Sequence, residues 1–250
     1  MQADHVTVTT DSTRELLMER HGISPSRISI VTQGFDQSAP QGSSAPGPSE
    51  VLELVYTGSL YGFRRLDSLI GAVIATPGAR LTIASRQVPE SLLGWQRLHP
   101  DQIHLLGSLP HRAALERQRR ADVLVDIGND HLAQVPGKFY EYLGASRPIL
   151  HIGSSRSGSA VHLQSLRRGW QCESDVGKLS LLLRELLVLK VAGRLDSDLD
   201  LTRASVSRHS WAALASKMLG VFHSVSRERC AGPGRAADSC PPGMSSLGEN

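Results

Sequence analysis

Aromatic residues are scarce, at 4% of the 250-residue chain, so its core must be built mostly from Leu, Val, Ile and Ala. Cysteines number three, Cys172, Cys230 and Cys240, an odd set with no CxxC, which argues against a disulfide scaffold or a zinc ribbon. A reducing, cytoplasmic setting is the default for so few cysteines. No apolar run approaches the ~20 residues that a membrane-spanning helix needs. The opening Met1-Gln2-Ala3-Asp4-His5 has no basic cluster followed by an apolar stretch, so no signal peptide is expected. Excess charge is also missing: 27 Lys+Arg against 24 Asp+Glu gives +3, with the basic residues scattered, so nucleic acid is not an expected partner. Neither HExxH nor HxH occurs among the ten histidines, and neither a GxSxG elbow, a GxGxxG turn nor a complete P-loop is present. Hydrolytic metal centres and α/β-hydrolase chemistry therefore have no support in the sequence, and no cofactor is expected.

What remains is 40% hydrophobic and 20% charged, ample for a packed core. The pattern alternates short β-branched runs with amphipathic stretches. His5–Thr9 and Ile28–Val31 read as strands around a helix that Asp11 or Ser12 would cap, with Glu15 three residues after Ser12 as in a capping box and Gly22 as the stop. Residues 37–50 (QSAPQGSSAPGPSE) have a linker composition and mark a domain boundary. Strands are expected at Val51–Thr57, Arg80–Ala84, Gln102–Leu106, Val123–Ile127, Pro148–Ile152 and Trp170–Glu173. Helices are expected near 66–75, 89–98, 111–120, 138–145, 157–168, 175–190 and 208–225. The run at 123–127 is apolar apart from Asp126, as in a strand covered on both faces. The fold class is α/β, a Rossmann-like parallel sheet with helices on both faces. The organisation predicted is 1–36 as one unit, 37–50 as linker, 51–225 as the main domain and 226–250 as a Gly-, Pro- and Ser-rich disordered tail.

A parallel sheet binds ligands outside the carboxyl ends of its strands. Three loops stand there. Gly58–Arg65 has two glycines that let backbone approach a ligand, and Arg64 and Arg65 suit phosphate; an ordinary βα turn with solvated arginines accounts for it equally well. Gly107–His111 can border a base, although a plain Pro-containing turn explains it better. Val135–Leu143 opens a helix on which Lys138 and Glu141, three apart, share a face. They suit a phosphorylated sugar, Lys on phosphate and Glu on ribose hydroxyls, but a surface i,i+3 ion pair is the commoner meaning of that spacing. Asp126, Asp130 and His131, at or beyond the end of the most buried run, can each reach a ligand. The Gly153–Gly158 stretch reads as a flexible loop that can contact a sugar.

ADHVTVTTDSTRELL…GISPSRISIVTQGFD, LELVYTGSLYGFRRLDSLIGA and IHLLGSLPHRAALERQRRADVLVDIG…VPGKFYEYLGASRPILHIG, in this order, resemble GT-B-fold glycosyltransferases of the family-4 (group 1) type over about residues 3–225. The resemblance implies a donor-binding domain carrying a short remnant of the N-terminal, acceptor-side domain. It implies transfer of a sugar, with retention, from a nucleoside diphosphate sugar to an acceptor hydroxyl. Carried over residue by residue, Glu141 holds the ribose and Lys138 and the Gly137 backbone approach the pyrophosphate. Arg64 neutralises phosphate, Gly58 is the turn glycine, and Leu109 and Pro110 border the base. The final helix, with Trp211, matches the segment that crosses back to the other domain. Two positions depart from the pattern: Ser59 stands where an Arg is common, and Ala133 where the E-x7-E pattern has its first Glu. Most of the acceptor domain is missing too, so a truncated enzyme, or one completed by another chain, is expected. The alternatives are a non-catalytic nucleotide- or partner-binding module and a sugar-nucleotide epimerase, for which no specific residue is present. The acceptor is not identified, and peripheral contact with a membrane is left open.

Overall fold

Odd and even positions of the long apolar runs point to opposite sides, and this alternation builds two cores on one sheet. In the computed structural model, which describes residues 3–36, 49–60, 66–128 and 134–231, β3 (Leu52–Thr57), β4 (Ala79–Ala84), β5 (Ile103–Leu105), β6 (Val123–Ile127), β7 (Ile149–Ile152) and β8 (Gly169–Cys172) pair in the order β5-β4-β3-β6-β7-β8, all parallel. Leu52, Leu54 and Tyr56 of β3 and Val123, Val125 and Ile127 of β6 face α2 (Asp67–Ile74), α3 (Glu90–Leu98) and α7 (Val176–Val191). Val55, Leu124 and Ile149 face the other side, against α5 (Gly137–Ala145) and α6 (Gly158–Ser165). Every residue of β6 is buried, as expected of a central strand covered twice. The α/β fold class read from the sequence is the one observed, and α4 (His111–Arg119) completes the layer beside α5.

β1 (Val6–Val8), α1 (Asp11–His21) and β2 (Ile28–Ile30) form a separate parallel pair. Residues 3–36 thus hold a two-stranded sheet of their own. The cap of α1 is a correction: neither Asp11 nor Ser12 but Thr10, in an extended conformation, accepts from the Thr13 N–H, while Gly22 at φ 61° ends the helix as expected. This unit joins the main sheet's layer through a bridge between Phe35 and Ser210, with the Phe35 N–H donating to His209 O and the Trp211 N–H to Phe35 O. The last helix, α8, runs Trp211–Ala231, six residues past its expected end at 225, because no glycine or proline interrupts the sequence between Gly220 and Gly232.

Candidate functional site

The strand order places the topological switch between β3 and β6, whose chain continuations run off in opposite directions and open a crevice at their carboxyl ends. Register pairing between the two stops at Val55–Leu124, two residues before β3 ends. The backbone of Thr57 is satisfied instead by a side chain: its N–H donates to the Tyr142 hydroxyl at 2.9 Å, which in turn donates to Thr57 O at 3.1 Å. Burial, partly offset by these bonds to Thr57, pushes the Tyr142 phenol far up, so it stays protonated. Next, Gly58 adopts φ 151°, a conformation that disfavours side chains, although a Cβ there would meet only ordinary contacts. The Tyr56 hydroxyl donates to Ser59 O at 2.9 Å and pins the turn.

A hollow of about 350 Å³ lies over the carboxyl ends of β3, β4 and β5. Gly58, Leu109 and Lys138 line it, as do Thr57, Ser59, Ser85, Arg86 and His111. Three of the residues expected to make a site are therefore brought to one cavity. Gly137 and Glu141 line a second, adjoining hollow of about 320 Å³ between α4, α5, the turn at 33–36 and Trp211, with His111 in the wall of both. Pro110 is the residue on which α4 starts, and it lines neither. Arg64 and Arg65, like Asp130, His131 and Ala133, lie outside the described residues.

Across the boundary of the two hollows, Lys138 Nζ reaches Glu141 Oε1 at 2.9 Å, with the two side chains 29% and 19% exposed. The i,i+3 spacing thus forms its ion pair, and it does so at the mouth of the crevice. Gln118, fully buried on α4, donates from Nε2 to Glu141 Oε1 at 2.5 Å and to Thr57 Oγ1 at 2.8 Å. Both bonds to Glu141 fall on one oxygen, so among the described residues Oε2 accepts nothing. Helices α4 and α5 both begin behind a proline without a side-chain cap, leaving their first N–H groups free of such partners. Hydroxyls, the uncapped starts of α4 and α5 and the cations Lys138 and Arg86 are thus distributed over two adjoining hollows, an arrangement suited to an anion carrying a polyol.

Sequence reasoning missed Arg86, Ser85, Gln118 and Tyr142. Arg86 and Ser85 were within reach: β4 is a neighbour of β3, so its carboxyl end borders the same crevice. Gln118 and Tyr142 look like an ordinary helix polar residue and a core aromatic, and nothing in their spacing marks them. Two other expectations change. Asp126 is 4% exposed and holds the buried His151 at 2.7 Å, so it does not face a ligand. The loop at 153–158 is pinned: the Ser157 hydroxyl bonds His151 Nε2 at 2.8 Å and accepts from the Ala160 N–H as the cap of α6. Among the described residues no cluster of three metal-ligating side chains occurs, and no helix is long and apolar enough to cross a membrane.

No family model matches the chain, and it is similar to none of the curated proteins. Solved structures do resemble it. WaaG, a glycosyltransferase involved in lipopolysaccharide biosynthesis, superposes with a TM-score of 0.58 at 19% identity over 81% of this chain and 61% of its own. Anabaena Alr3699/HepE, solved in complex with UDP-glucose, gives 0.68 at 12% identity over 89% and 64%. AviGT4, a glycosyltransferase involved in avilamycin A biosynthesis, gives 0.61 at 14% over 90% and 64%. The chain therefore spans less than two thirds of the length of these structures. Its six-stranded sheet and flanking helices have the fold of one Rossmann-like half of a GT-B glycosyltransferase.

Proposed function

We propose that this chain is the donor-nucleotide half of a glycosyltransferase that moves a sugar from a nucleoside diphosphate donor to an acceptor hydroxyl. The observation that carries this reading is the meeting of Gly58, Leu109 and Lys138 on one hollow at the switch point, with Glu141 ion-paired to Lys138 at its edge. In this reading the Glu141 carboxylate, through Oε2, accepts from ribose hydroxyls, and Leu109, with Pro110 behind it, borders the base. Lys138, the Gly137 N–H and Arg64 meet the pyrophosphate. These groups stabilise the charge that develops on the departing diphosphate. Ser59, where the family resemblance has an Arg, puts a small polar residue on the hollow, and Arg86 from the neighbouring strand supplies a second cation there. HepE was solved with UDP-glucose, which makes uridine nucleotides the first probes.

The same reading assigns the unit at Val6–Phe35 to the closing strand–helix–strand of an acceptor-side domain, and the family to the group 1 type. It places the protein in the cytoplasm. Calorimetric titration with UDP, ADP and GDP tests the reading. One of them should bind weakly, with little or no sugar transfer by this chain alone, and Glu141→Ala should weaken that binding by about tenfold or more, as loss of charge-assisted bonds does. Absence of binding of all three by well-folded protein would sink it. A non-catalytic nucleotide-binding module shares every binding prediction and is favoured by Ser59; sugar transfer to any acceptor would eliminate it.

A further inference from the structure

Gln118 is an unusual residue to bury. Its side chain is fully enclosed on α4, and its carbonyl Oε1 is buried with no partner among the described residues. An apolar side chain of that size would pack there without leaving a buried acceptor unpaired. What the amide gains is a two-way bond: one N–H goes to Glu141 Oε1 at 2.5 Å and the other to Thr57 Oγ1 at 2.8 Å. The orientation of the amide is dictated by chemistry, since a carboxylate oxygen accepts only and the reversed amide would set oxygen against oxygen. Thr57 is itself clamped front and back by the Tyr142 hydroxyl, so the Gln118 anchor is a fixed point of the sheet rather than a mobile loop.

We infer that Gln118 is a positioning residue that fixes the Glu141 carboxylate for a vicinal diol of the ligand by occupying Oε1 and turning Oε2 outward. Lys138 also bonds Oε1, but from a long, partly exposed side chain that a phosphate can draw away. With Gln118 in place the carboxylate keeps its orientation when that happens, because the amide neither titrates nor competes for the anion. Orientation fixed before binding lowers the ordering cost of the complex. This inference rests on the nucleotide-site reading above and adds a residue that touches no ligand itself.

The test separates the two. Calorimetry on the full chain compares UDP, which carries the ribose diol, with inorganic pyrophosphate, which does not. Gln118→Leu should weaken UDP about tenfold while changing pyrophosphate by less than about twofold, and it should have no further effect in a Glu141→Ala background. A merely structural role would weaken both ligands alike and would add to Glu141→Ala. Should Gln118→Leu not fold, Gln118→Met keeps the length of the unbranched side chain, removes both donors, and should show the same UDP-selective loss. UDP binding that Glu141→Ala weakens and neither Gln118 variant changes overturns the inference alone. Should ADP or GDP bind in place of UDP, it serves as the diol-bearing ligand; nucleotide affinity indifferent to Glu141→Ala, or no binding of any of the three by the parent chain, overturns the nucleotide-site reading and this inference with it.

Discussion

Two lysine–carboxylate pairs sit at opposite ends of the central sheet, and they have opposite characters. At the amino end, Asp122 just before β6 accepts from Lys190 Nζ at the end of α7 and from the Glu53 N–H at 2.7 Å, and both side chains of the ion pair are nearly sealed, 4% and 6% exposed. At the carboxyl end, Lys138 and Glu141 are several-fold more exposed and border open hollows. In each pair both bonds to the carboxylate fall on one oxygen, but only the second oxygen of Glu141 has open space beside it. Charge pairing alone therefore says little about purpose; exposure and the surrounding space say more.

The comparison breaks most sharply at the sealed end. Lys190→Met leaves the Asp122 carboxylate buried without its cation and should cost about 3–5 kcal/mol in urea unfolding, while nucleotide affinity of the folded fraction stays unchanged. An effect below about 1 kcal/mol would mean that water reaches Asp122 and that the two ends do not differ in kind.

A smaller loss is expected from acid. His209, where the β1–α1–β2 unit meets the main sheet, bonds Thr32 Oγ1 through Nδ1 at 3.2 Å, and the Arg208 Nε donates to its Nε2 at 3.2 Å. Burial first, then the nearby charge of Arg208, then His162 and Lys217, lower its pKa from 6.5 to about 4. The unfolded chain therefore takes up a proton that the folded one refuses. Stability should be complete above about pH 6.5 and decline as pH falls toward 4, by up to about 3 kcal/mol. His162, lowered mainly by burial and secondarily by Arg208, acts in the same direction. Urea unfolding at neutral and mildly acidic pH should show His209→Gln losing less on the acid side than the parent. Equal losses would remove His209 from the junction's stability.

The same junction has a packing element. At Gly144 a Cβ would stand 2.7 Å from the Phe35 ring, too close for either side to accommodate without moving. Gly144→Ala, which elsewhere in a helix would stabilise, should here cost about 1–3 kcal/mol by pushing Phe35 off α5. A neutral or stabilising result would show that the 33–36 turn is free to lift from the main sheet's layer.

The sheet was legible because its strands are short, nearly continuous apolar runs, and each expected strand lies within one or two residues of the observed one. The start of α1 was not legible, because Thr10, Asp11 and Ser12 are all good caps and only the exit path of β1 selects Thr10. Of the site, the glycine turn and the Lys138–Glu141 face followed from spacing and loop position. Arg86 was not read, although the usual pairing of successive strands in a βαβ unit puts the end of β4 beside β3. Gln118 and Tyr142 did not follow, because their roles are long-range: Gln118 reaches Thr57 across 61 positions and Tyr142 reaches it across 85. A pattern read along the chain carries local periodicity, which includes the Lys138 bond to Glu141 at three positions but not the Gln118 bond across 23.

The smallest expected effect on stability sharpens the comparison from the open end. Lys138→Met removes a partly exposed i,i+3 pair, which is worth about 0–1 kcal/mol in solvent of high dielectric constant, so unfolding should barely change. Glu141 is not stranded by the change, because Gln118 still donates to Oε1. Affinity for a nucleoside diphosphate should nevertheless fall about tenfold, with a shallower salt dependence, since one cation is withdrawn from the hollow. A loss of 3 kcal/mol or more in stability, comparable to that of Lys190→Met, would place this pair with the sealed one and take away the reason for regarding its free oxygen as held for a ligand.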